Sequence, residues 1–128
     1  MSEFLKDLPL KRPIVFFDLE TTGTNFRIDR IVEISVAKFM PDGKSEVKTR
    51  RVNPERPIPA DATAVHGITD KDVANEPTFK ALASSFYRYL ENCDLAGYNI
   101  QRFDLPLLAE EFKRSGIEFK TEAVKVID

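Results

Sequence analysis

The sequence predicts a single α/β domain built on a mixed β-sheet, and three observations carry that expectation. An apolar run rich in aromatic and β-branched residues, Pro13 to Glu20, has the composition of a central strand. Two further strand-like segments follow, parted by the turn signal Pro41-Asp42-Gly43, so the first three strands are expected as an antiparallel meander. After them the pattern alternates helix, strand, helix, strand, which places helices against both faces of the sheet.

Each element has its own grounds. Residues 1–12 read as an irregular arm. Residues 13–20 are apolar on both faces, so the first strand is expected to be covered on both sides. Over residues 31–39, Val32, Ile34 and Val36 recur at every second position and share one face of a second strand. Residues 45–53 are polar and alternating, which fits a third strand at the sheet edge. The basic cluster Lys48, Arg50 and Arg51 would keep that edge from pairing with other chains. Pro54, Pro57 and Pro59 make residues 53–64 an extended surface connection. Thr69-Asp70-Lys71-Asp72 has an N-cap with an acid three positions on, opening a short helix. Phe79, Leu82, Ala83, Phe86 and Leu90 stand at helical spacing, giving an amphipathic helix over residues 78–91. Asp94 to Tyr98 is a short strand. Leu105, Leu108 and Phe112 stripe a second helix over residues 101–115, with Pro106 in its first turn and Gly116 as its stop. Ala123 to Asp128 begins one more strand.

The chain has 128 residues, 42% hydrophobic and 31% charged, which suits one soluble domain and not two. No apolar run is long enough for a membrane helix, and the N-terminus has no signal-peptide core. Cys93 stands alone, so no intrachain disulfide is expected and a reducing, cytoplasmic setting fits. One histidine and no cysteine cluster argue against zinc. The net charge of −2 lacks the basic surplus of proteins that coat nucleic acid. A nucleic acid would therefore be held at a local site, such as one strand end.

The most informative residues are Asp18 and Glu20. Two positions apart on a strand, they point the same way. Paired carboxylates at the end of a buried strand repel each other and resist desolvation, and a hard divalent cation is their natural counter-charge. The plainer alternative is a strand that simply ends in polar residues. Asp104 is a third candidate, at a strand-to-helix passage. An Asp there can be a helix cap. The fold logic, however, sets this helix start beside the carboxyl end of the first strand, where ligands gather in such sheets.

Phe17-Asp18-Leu19-Glu20-Thr21-Thr22-Gly23 resembles the first motif of the DnaQ-like, DEDD-type 3′–5′ exonucleases. Three further stretches resemble the same family in the same order: Arg30-Ile31-Val32-Glu33-Ile34, Val65-His66-Gly67-Ile68-Thr69, and Gly97-Tyr98-Asn99 with Phe103-Asp104. The resemblance implies a ribonuclease H-like fold with the first strand central and the fourth beside it. It implies Asp18, Glu20 and Asp104 as ligands of two Mg²⁺ or Mn²⁺ ions. It implies a 3′-terminal nucleotide held along Leu19, Thr21, Thr22 and Gly23, with His66, Asn99 and Phe103 bordering the cleft. Gly23, lacking a side chain, would admit the nucleic acid closely. The His-Gly-Ile-Thr stretch and the Arg30–Ile34 segment resemble the proofreading relatives, which implies DNA over RNA and a DNA polymerase as partner.

The family's third motif, His-x4-Asp, carries a general base and a fourth carboxylate, and it has no counterpart here. His66 has Lys at position 71 and does not fit that spacing, no histidine follows it, and Asp128 is no substitute. The expectation is a truncated exonuclease with impaired turnover. Its sheet would be left open on one face, inviting dimerisation. Two other readings stand beside it: a non-catalytic nucleic-acid-binding or interaction module that keeps the fold, and a phosphotransfer receiver-like domain. The second is disfavoured because the accepting Asp of such domains stands on a later central strand.

Overall fold

The computed structural model describes residues 10–120 and 126–127. Among these, strands β1 (Ile14–Thr21), β2 (Ile31–Phe39), β3 (Ser45–Arg51), β4 (Asp94–Ala96) and β5 (Val126–Ile127) form one sheet in the order β3-β2-β1-β4-β5. β1, β2 and β3 are antiparallel neighbours, and β4 runs parallel to both β1 and β5. The meander, the central first strand and the fourth strand beside it are as expected. The arm over residues 1–9, most of the last strand and Asp128 lie outside the described residues.

Alternation along β1 divides its side chains between two environments. Val15, Phe17 and Leu19 face a core that also holds Ile34 and Val36 of β2. Helices α3 (Phe79–Leu90) and α4 (Asp104–Arg114) close that core through Phe79, Ala83, Leu90, Leu107, Leu108 and Phe112. Phe112 is its hub, edge-on to Phe79 at 5.1 Å between centroids and stacked on Phe119 at 5.0 Å. Both long helices thus lie on one face, where the alternation of elements suggests one on each. On the other face Phe16 meets Phe39 edge-on at 5.8 Å, both half-buried, while Val47 and Ile127 are exposed. The covering expected on both sides of β1 is partial on this face: Ile14 is buried and Phe16 half-buried, whereas Asp18 is exposed.

The expected surface connection contains a helix instead, α1 (Ala60–His66). Its prolines all precede it: Pro59 occupies the N-cap in extended geometry, and the alanine-rich turn that follows has no proline to break it. Gly67, at φ 77°, ends the helix in the left-handed conformation that glycine tolerates. His66 therefore closes a helix rather than lying in a loop. The short helix α2 (Asp70–Val73) opens on the expected capping box, with Thr69 and Asp72 exchanging side-chain and backbone hydrogen bonds.

β3 is the sheet edge, exposed along its whole length. Arg51 pairs with Glu33 at 3.3 Å and Lys48 lies 3.8 Å from Glu46. The basic cluster is a solvated edge, as the sequence suggests.

Candidate nuclease site at the end of β1

A bulge shapes the end of β1. Glu20 pairs with Glu33, but Thr21 pairs with Ile31, so Val32 is the extra residue on β2. The bulge turns Val32 into a second small core with Ile58, Ile68 and Val73. That core anchors α1 and α2 beside the strand end. His66 is thereby brought to Thr21, its Nε2 lying 3.0 Å from the Thr21 carbonyl oxygen. The Ile68 N–H donates to Nδ1 at 3.0 Å, so Nδ1 carries no proton and Nε2–H is the donor to Thr21. Both ring nitrogens are occupied, and His66 holds the strand end in place.

Asp18 and Glu20 project from the same face of β1. Burial holds the Glu20 carboxyl above its ordinary range, and the negative charges of Asp18 and Glu33 push it the same way. The two sequence-selected carboxylates are thus electrostatically coupled. Asp104 is buried and is the first residue of α4; the N-cap position belongs to Phe103, whose side chain makes no capping hydrogen bond. Asp104 thus lies one position inside the N-cap, where a carboxylate in the first turn suits the helix dipole. Among the described residues, no three His, Cys, Asp or Glu side chains come together as a metal-holding group.

The turn after β1 is built from the inside. Thr22 is buried, and its hydroxyl donates to Asp29 Oδ1 at 2.8 Å while accepting from the Arg30 N–H at 3.0 Å. Asp29 is itself buried and accepts from the Asn25 N–H at 2.8 Å. A Cβ on Gly23 would stand 2.5 Å from Asp29 Oδ2, so a larger residue here would have to push the buried Asp29 carboxylate away from its hydrogen bonds. The structure thereby gives Gly23 a packing reason beside the substrate-approach reason drawn from sequence. Thr21 Oγ1 donates to the Gly23 carbonyl at 2.7 Å. The Leu19 side chain is in the core, which leaves its backbone as the part able to meet a ligand. Phe103 packs partly buried against the same core. Asn99 is exposed in a left-handed conformation, φ 55°, one residue after the almost fully exposed Tyr98.

Sequence reasoning passed over Asp29, Glu111 and the side chain of Arg30. Glu111 could have been found: it falls on the apolar stripe of α4 that carries Leu107, Leu108 and Phe112, and it is buried with them. A charged residue on a core stripe signals a partner.

An exonuclease family model, RNase_T, matches residues 15–128. A DNA polymerase III subunit epsilon-like protein of Rhodobacter capsulatus is 36% identical over 96% of this chain and 18% of its own length. The DNA polymerase III subunit epsilon of Pasteurella multocida is 30% identical over 93% of this chain and 50% of its own length. The chain thus spans half or less of these relatives. In structure it resembles E. coli Exonuclease I, solved in complex with a dT13 oligonucleotide, with a TM-score of 0.79 over 91% of this chain and 27% of that one at 19% identity. That likeness shows a shared fold.

Proposed function

The chain belongs to the DnaQ-like exonuclease family described by that model, and we propose that it is a divalent-metal-dependent 3′–5′ exonuclease domain that removes nucleotides from the 3′ end of single-stranded DNA. The observation that carries this is the pair Asp18 and Glu20, held on one face at the end of the central strand in mutual repulsion. Asp18, Glu20 and Asp104 are the residues that would hold the metal. The donors fit Mg²⁺ or Mn²⁺: they are hard carboxylate oxygens, and the burial and then the neighbouring negative charges that raise Glu20 are both of the kind a cation offsets. Two such ions, when bound, would supply an activated water and stabilise the leaving oxygen.

The chain's own residues do the rest. The Thr22–Asp29 network holds the turn rigid, so the backbone from Leu19 to Gly23 can receive the terminal nucleotide without reordering. His66 keeps the Thr21 carbonyl fixed and, with both nitrogens engaged, is a support and not a general base. In this reading Asn99 and Phe103 border the cleft that receives the nucleotide. Relatives named for DNA polymerase III support a polymerase as partner. Cys93, free and buried with its thiol pushed up by burial, suits a reducing compartment such as the cytoplasm. No helix among the described residues is long and apolar enough to cross a membrane. The apolar face with Phe16, Phe39 and exposed Val47 would support self-association, which sedimentation of the chain at several concentrations would detect.

The test is a single-stranded oligonucleotide labelled at its 5′ end and incubated with Mn²⁺ and the protein. A ladder shortening from the 3′ end is expected, and its absence would falsify the assignment. Among the described residues no three carboxylates come together, and one second reading stands beside the first, a domain that binds a strand end without cleaving it. Retention of the oligonucleotide without shortening, with or without metal, would decide for that reading.

A further inference from the structure

Arg30 and Glu111 lie outside every role assigned above, yet they make a densely connected buried contact. Glu111 is almost wholly buried, at 1% exposure. Its Oε1 accepts from Arg30 Nε at 3.0 Å, and its Oε2 accepts from the backbone N–H of Ile31 at 2.9 Å. Arg114 Nη1 adds a longer contact to Oε1 at 3.5 Å. A carboxylate taken out of water needs this degree of compensation, and an apolar residue would fill the same volume on the core stripe with no such requirement.

Both ends of the contact lead toward the candidate site. Glu111 is seven residues, about two helical turns, beyond Asp104, so the two share one face of α4 and are joined by about 10 Å of helix. Ile31 is the β2 partner of Thr21, the residue that follows Glu20. Arg30 is tied twice to Thr22: its carbonyl accepts from the Thr22 N–H at 2.9 Å, and its N–H donates to Thr22 Oγ1 at 3.0 Å. A continuous rigid path therefore runs from Asp104 along α4 to Glu111, across to Arg30 and Ile31, and back to the turn after Asp18 and Glu20.

We propose that Arg30 and Glu111 are positioning residues, a two-armed clamp that fixes the helix carrying Asp104 against the strand end carrying Asp18 and Glu20. The proposal deepens the metal-dependent reading above and rests on it for the consequence at the site. One arm, to the Ile31 N–H, sets the height of α4 over β2. The other, to Arg30, sets its rotation toward Thr22. Losing the Arg30 arm would let the start of α4 drift relative to β1 while the core stripe stays packed.

The experiment uses the full chain and two variants. Glu111→Gln keeps the volume and one acceptor for Ile31 but leaves the Arg30 cation only the half-exposed Glu55 carboxylate, 3.7 Å from its Nη2. Arg30→Met/Glu111→Gln removes the stray cation, so melting temperature should recover toward wild type. Mn²⁺ affinity by calorimetry should fall in both variants by roughly 10–100-fold, the usual loss when a support of a metal ligand is removed. Without metal, amide exchange at Thr22 and Leu107 should quicken at least about tenfold in both variants, as expected of local opening, while amides deep in the β1–β2 ladder stay protected. A double variant that regains Mn²⁺ affinity together with melting temperature would show that the pair serves stability alone, and the clamp would be overturned. Wild-type protein that takes up no Mn²⁺ would sink the metal-dependent reading instead. The metal-free exchange at Thr22 and Leu107 would still judge the clamp, unchanged exchange overturning it.

Discussion

Glu111 and the pair Asp18 and Glu20 are acidic groups on neighbouring elements, and the fold treats them oppositely. Glu111 is sealed in the core and given an arginine, a backbone N–H and a second, more distant arginine. Asp18 is exposed, and Glu20 is raised by its burial and then by the neighbouring charges of Asp18 and Glu33, the last of which Arg51 pairs. The first arrangement is complete within the protein. The second is left for something outside the protein to complete. A carboxylate that the chain neutralises holds structure together, and carboxylates that the chain sets against one another mark where a cation belongs.

The sharpest way to break this contrast is to delete each kind of carboxylate and read both activity and stability. Asp18→Ala or Glu20→Ala should lower turnover by about 10³-fold, the scale of losing several kcal/mol of metal-borne charge stabilisation. Their melting temperatures should hold or rise, because each removes a repulsion. A large drop in melting temperature with either variant would place the pair on the structural side of the comparison.

The next effect concerns the general base. The one histidine of these 128 residues is engaged by Thr21 and Ile68. Turnover by this chain alone should be slower by about 10²–10⁴-fold than by a version that supplies a free histidine base. Equal rates on a single-stranded oligonucleotide with Mn²⁺ would show that base catalysis is dispensable here. For Glu111 the expectation is reversed in kind. Glu111→Ala strips the buried counter-charge from Arg30, leaving it only the more exposed Glu55, and orphans the Ile31 N–H, so chemical denaturation should show a loss of about 3–5 kcal/mol. A loss below about 1 kcal/mol would mean that water replaces the carboxylate.

Much of this was legible in the sequence, and the exceptions have physical causes. The strand pattern, the two long helices and the capping box at Thr69 are local signals, read from periodicity and end chemistry. Asp18 and Glu20 were legible because strand alternation fixes their common face. α1 was missed because its three prolines precede it and masked a good helical stretch. The bulge at Val32 was missed because register depends on how two strands pair, which neither strand states alone. The clamp joins residues eighty positions apart and had only one local sign, a glutamate on an apolar stripe. The packing role of Gly23 also needed Asp29 to be folded back against it.

The smallest effect sharpens the comparison most directly, since it titrates one of its two sides. Burial, then Asp18 and Glu33, raise the Glu20 carboxyl above its ordinary value of 4.5. The folded chain therefore holds this proton more tightly than the unfolded chain does. Stability from this group is fully present below the ordinary value, is lost as pH rises from there through the raised folded value, and stays lost above it. Glu20→Gln removes the charge at every pH. The variant should melt above wild type at pH 7 and level with it near pH 3, by a margin smaller than the Glu111→Ala loss. Glu111→Gln should show the opposite order at pH 7, since it deletes a satisfied charge. Saturating Mn²⁺ should then raise wild type more than Glu20→Gln, because only wild type keeps both carboxylates to bind it. A Glu20→Gln margin that stays constant from pH 3 to pH 7 and ignores Mn²⁺ would mean that the gain comes from packing. In that case the repulsion at the end of β1 would no longer distinguish it from any other exposed strand end.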